Sequence, residues 1–122
     1  MRKFAFLKEP LPRSEGEPVV KIMLYEAEEG IYLFEYSRPD AQQCTGDLCY
    51  GSLEELHEDW DSLIDGNGWT DIDDPLPGCQ RDAFIPLRVK GRDAGAPEWG
   101  TYETLADGEW VDWEGEFHGS AQ

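Results

Sequence analysis

The chain has 122 residues, with 27 acids against 10 bases and a formal net charge of −17. That length fits one domain able to bury a core. Its 39% hydrophobic content, with five Trp, five Tyr and five Phe, argues against intrinsic disorder despite the charge. The charge works against nucleic acid, where affinity comes from Lys and Arg displacing counterions, and against an anionic membrane surface.

The acids are not spread evenly. Residues 39–80 hold eleven acids and no Lys or Arg, and residues 93–122 hold eight and again none. A basic protein partner, a cation, or solubility alone is compatible with such a field. Thirteen Gly and eight Pro point to many turns and a sheet-rich fold.

Residues 2–8 read as a first strand or extended arm, broken by Pro10 and Pro12. The apolar run after Lys3 ends after four residues, too short for a signal peptide. Residues 13–18 form a polar loop. Val19 to Tyr25 alternates, with Val20, Ile22 and Leu24 on one face and Val19, Lys21, Met23 and Tyr25 on the other. Ile31 to Tyr36 follows a turn at 26–30, and the two strands make an antiparallel hairpin. Residues 37–51 are rich in turn formers and read as a loop.

Ser52 to Ile64 reads as the one main helix. Ser52 and Glu55 stand at capping-box spacing. Leu53, Leu56, His57, Trp60, Leu63 and Ile64 recur at steps of three and four, so one face is apolar. Gly66 can take the left-handed conformation that stops a helix. Asp61 and Asp65 sit near the unfavourable end of the dipole, so packing on a sheet must hold this helix.

Residues 69–72 suggest a short strand. Residues 84–90 suggest another, placed at an edge or bulged by Pro86. Asp107-Gly108 between 101–105 and 109–113 signals a type I′ hairpin. Its register sets Tyr102 opposite Trp113 and Thr104 opposite Val111. It also opposes Glu103 and Asp112, which is unfavourable unless a cation or basic side chain lies between them. The order of elements predicts an α+β fold, a single domain over 1–122 with a mostly antiparallel sheet, the helix on one face and a tail over 115–122.

Four groups of residues could carry chemistry. Cys44, Cys49, His57 and Cys79 could supply a Cys₃His zinc set. Their spacing fits no standard signature, and His57 on the apolar stripe would have to leave its packing. Cys44 and Cys49 could also act as a redox pair, though without the Cys-x-x-Cys spacing. Three cysteines is an odd number for a secreted disulfide framework, which points to a cytoplasmic protein with reduced thiols. The acidic loop 65–74 offers oxygen ligands. Counted from Asp65, however, the EF-hand Gly and Glu positions are Thr70 and Leu76.

The third group is a basic island of Arg81, Arg88, Lys90 and Arg92. Arg88, Lys90 and Arg92 alternate onto one face, as an anion site would require. Neutralisation of neighbouring acidic strands is the preferred reading of them. Fourth are Trp99, Tyr102, Trp110 and Trp113, of which Trp110 should face away from Tyr102 and Trp113 and could serve as a partner hot spot.

Phosphate-binding, zinc-protease and nucleophile-elbow motifs are missing from the sequence, so no cofactor is expected. The favoured expectation is a non-enzymatic binding module, in the manner of an inhibitor or immunity protein against a basic partner such as a nuclease. The alternative is a small metal- or thiol-dependent enzyme on Cys44, Cys49, Cys79 and His57. A homodimer through the Pro86 edge or Trp110 is a third expectation.

Overall fold

Period-two alternation builds the sheets, and the computed structural model describes them over residues 1–92 and 94–113. The chain divides between Asp74 and Pro75 into two compact units. The tail expected over 115–122 lies outside the described residues, as does His118.

The first unit carries β1 (Arg2–Leu11), β2 (Val19–Ala27), β3 (Gly30–Tyr36), β4 (Gly46–Tyr50) and β5 (Thr70–Ile72). They form an antiparallel sheet in the order β4-β3-β2-β1-β5. Helix α1 (Leu53–Trp60) and a 3-10 turn (Asp61–Leu63) connect β4 to β5. Ala5, Ile22, Leu24 and Leu33 meet Leu56, Trp60 and Ile64 in one apolar cluster. The hairpin between β2 and β3 is as the alternation predicts, with Leu24 opposite Leu33 and Met23 opposite Phe34.

The opposite face of this sheet is also buried. Lys21, Met23 and Tyr36 are at most 3% exposed. Lys21 is tolerated there because its Nζ donates to the carbonyls of Pro39 (2.8 Å) and Ala41 (3.1 Å) and lies 4.9 Å over the Tyr36 ring. Buried Glu35 is paired with Arg13, which ties the 12–18 loop to β3.

Several expectations are corrected. β1 continues through Pro10 to Leu11, because its register with β2 shifts between Phe6 and Leu11 and leaves Pro10 outside the ladder. The same shift brings Val19 into the core cluster, not onto the Lys21 face. The loop expected over 37–51 contains β4, paired to β3 with Leu48 opposite Leu33. The α-helix ends at Trp60, short of Ile64. Ile64 is extended (φ −82°, ψ 143°) because it bridges to Leu7, and the Asp65 amide donates to the Phe6 carbonyl at 2.9 Å. It is Gly68 (φ 68°), not Gly66, that takes the left-handed conformation.

The second unit carries β6 (Leu87–Val89), β7 (Tyr102–Ala106) and β8 (Glu109–Trp113), antiparallel in that order. Asp107 (φ 51°) and Gly108 (φ 82°) both have positive φ, as a type I′ turn requires. The register is the expected one. The strand expected over 84–90 shortens to Leu87–Val89. Pro86 has no N–H to give to a ladder, and its carbonyl accepts from Thr104 Oγ1 at 2.6 Å. As predicted, β6 is an edge strand. Among the described residues no helix is long and apolar enough to cross a membrane.

Candidate functional site

The helix sets out the charge of the first unit. Ser52 caps it, accepting from the Glu55 amide at 3.2 Å. Leu56 and Trp60 turn inward, which leaves Glu54, Glu55, Glu58, Asp59 and Asp61 in solvent. Two of these carboxylates are engaged. Asp59 accepts from Tyr50 Oη at 2.9 Å, and the same hydroxyl accepts from Trp60 Nε1 at 2.9 Å. Burial, followed by the Asp59 hydrogen bond, pushes the Tyr50 phenol above its usual pKa. This relay pins α1 to the edge strand β4.

Asp61 Oδ1 lies 2.8 Å from His57 Nδ1 and accepts from Trp69 Nε1 at 3.0 Å. The His57 ring meets Trp69 edge-on, with centroids 5.7 Å apart. Burial raises the Asp61 pKa, but the hydrogen bonds from His57 and Trp69 outweigh it and hold the carboxyl below its usual range. His57 therefore sits at the edge of the apolar stripe, half-exposed. The arrangement orients an imidazole. It also closes the C-terminal end of α1.

Cys44 lies just before β4, and Cys49 is exposed on β4 opposite Tyr32. The extended strand carries Cys49 away from Cys44 at about 3.3 Å per residue. Cys79 belongs to the second unit. Among the described residues no group of three or more His, Cys, Asp or Glu side chains is placed to share a metal ion. In the acidic loop, Asp65 Oδ1 accepts from the Asn67 amide at 3.0 Å, and the Asp73 carbonyl accepts from Arg2 Nε at 2.7 Å.

In the second unit, Arg88, Lys90 and Trp110 come together with two acids. Arg88 stands opposite Glu103, and Glu103 opposite Asp112. Arg88 Nε donates to Glu103 Oε1 at 2.7 Å, and Lys90 Nζ lies 2.9 Å from Asp112 Oδ1. The Arg88 guanidinium also lies 3.8 Å from the centroid of the Trp110 ring. Trp110 does turn away from Tyr102 and Trp113, which pair edge-on at 6.3 Å on the other face. Its ring is nevertheless stacked under Arg88. The hydrogen bond and charge of Asp112 raise the Lys90 pKa. Arg92 is exposed and, with Arg88, Pro77 and Gly78, lines a shallow hollow of about 250 Å³.

The helical period places Glu54, Glu55 and Glu58 on the polar face, away from Leu56 and Trp60, whereas sequence reasoning did not single out Tyr50 and Trp69 as partners of the helix. The i,i+4 spacing of Glu54 and Glu58 was a usable signal. The cross-element partners left none. Compared with protein-family models, curated proteins and solved structures, the chain matches none.

Proposed function

We propose that the chain is a non-enzymatic protein-binding module, of inhibitor or immunity type, that engages a basic partner through its acidic surface in the cytoplasm. The observation that carries this is how the bases are used. Arg13, Arg88 and Lys90 pair with Glu35, Glu103 and Asp112, and Lys3 lies near Asp71. Arg2, Lys8 and Lys21 donate to carbonyl oxygens. Among the described residues no base pairs with Glu54, Glu55 or Glu58. Glu54 and Glu58 stand one turn apart on α1, where like charges repel. A cationic partner relieves that repulsion, and the field steers its approach.

The test uses a deca-lysine peptide titrated calorimetrically into the chain and two charge-matched variants. One variant carries Glu54→Gln, Glu55→Gln and Glu58→Gln on the helix. The other carries Glu15→Gln, Glu17→Gln and Glu28→Gln, all exposed positions off the helix. The proposal expects the helix variant to lose about ten-fold in affinity and the control about two-fold, both losses shrinking as salt is raised. Equal losses would reduce the surface to a general field. Binding that ignores salt would overturn the reading.

A further inference from the structure

The most exposed large apolar side chain among the described residues is Trp99, at 76%. It stands on a loop whose backbone is closed on itself. The Gly91 carbonyl accepts from the amides of Ala94 (3.2 Å) and Ala96 (2.9 Å), and the Arg92 carbonyl from Gly95 (3.2 Å). Glu98 donates to the Lys90 carbonyl (2.8 Å), Thr101 to Glu98 (3.0 Å) and Lys90 to Thr101 (2.8 Å). Gly91 makes this closure feasible. Its φ is 77°, and a Cβ there would stand 2.3 Å from the Ala96 carbonyl oxygen. These hydrogen bonds reduce the entropy left to lose when the described part of the loop binds. A tryptophan exposed to water on such a hydrogen-bonded segment has the properties of an interface anchor.

We propose that Trp99 takes an arginine side chain of the basic partner, an inference that rests on the proposed function above. Three observations select that occupant. The chain is strongly acidic, at −17, so cations accumulate around it. Glu98 supplies an exposed carboxylate one residue away. The same unit already uses this chemistry internally, where Arg88 stacks at 3.8 Å on Trp110 while donating to Glu103. Guanidinium stacks on indole more readily than ammonium does and offers a planar fork to a carboxylate. At Trp99 an exposed indole is next in the chain to a carboxylate whose charge also acts on Lys90, and a partner would supply the guanidinium.

Deca-arginine and deca-lysine peptides, titrated calorimetrically into the wild-type chain, Trp99→Ala and Trp99→Phe at about 50 mM salt, test this. The wild type should bind deca-arginine about five-fold more tightly than deca-lysine. Trp99→Ala should abolish that preference while leaving deca-lysine within about two-fold, and Trp99→Phe should keep part of it. An unchanged circular dichroism spectrum would show that the exposed position tolerates the change. An arginine preference that survives in Trp99→Ala overturns the inference. Equal losses for both peptides also overturn it. Failure of both peptides to bind the wild type would remove the proposed function itself, and this inference with it.

Discussion

Glu103 on β7 and Asp112 on β8 stand directly opposite each other, and two bases from one neighbouring segment neutralise them in turn. Arg88 covers Glu103 at 2.7 Å, and Lys90 covers Asp112 at 2.9 Å. Two like charges across a ladder are unfavourable alone. Here they bind the short edge strand β6 to the hairpin. The Arg88–Glu103 pair is largely shielded, with side chains 17% and 12% exposed. Arg88→Ala should therefore lower stability by about 2–3 kcal/mol in urea unfolding, because it leaves a half-buried carboxylate beside another. Adding Glu103→Gln should recover part of the loss. Lys90→Ala, at a more exposed pair, should cost distinctly less than Arg88→Ala.

Tyr50 joins α1 to β4 through Trp60 and Asp59. Tyr50→Phe should cost about 1 kcal/mol, since the Trp60 indole N–H loses its acceptor. The folded-state pKa of Tyr50 is raised. Its contribution is thus fully present below the unfolded value near 10 and is lost as pH rises through the folded value. Unfolding measured across alkaline pH should be steeper for the wild type than for Tyr50→Phe.

Asp61 behaves in the opposite sense. Its folded pKa is lowered, so its contribution is present above the unfolded carboxylate value and disappears as pH falls through the folded one. Asp61→Asn should flatten the acid side of the stability profile. Asp61→Ala, which removes the acceptor altogether, should also free the Trp69 indole, and a shift in tryptophan emission would report it.

Gly91 and Gly95 make a matched pair of loop glycines with φ near 77° and 75°. A Cβ at Gly95 meets nothing within 4 Å, whereas one at Gly91 meets the Ala96 carbonyl at 2.3 Å. Gly95→Ala should cost about 1 kcal/mol for the backbone conformation alone. Gly91→Ala should cost more, because the backbone must move. If Trp99 depends on this closure, Gly91→Ala should also weaken deca-arginine binding.

Much of the architecture could be seen in residue order. Asp107-Gly108 dictates a primed turn, and the turn dictates the register that opposes Glu103 and Asp112. Alternation marks β2, a nearly continuous apolar run marks β3, and Ser52 marks the start of α1. These signals are local, because backbone dihedrals and side-chain period act over a few residues. Charge is legible in the same way, since a net −17 excludes no fold but constrains every partner.

What the sequence could not supply was set by contacts between distant segments. β4 has little alternation of its own and exists because β3 offers it an open edge. α1 stops at Trp60 because Ile64 is drawn into a bridge with Leu7 and Asp65 into a hydrogen bond with Phe6. For Arg88 and Lys90 the order of residues favours neutralisation of acidic strands over an anion site, but only pairing with β7 and β8 showed that Glu103 and Asp112 are the acids they meet. Trp110 reads as the outward ring, yet it lies under a guanidinium, while Trp99 stands in water. Composition and local pattern determined the elements and the charge. Only tertiary pairing decided which charges and which rings remain for a partner, because neutralisation and burial depend on neighbours far away in the chain.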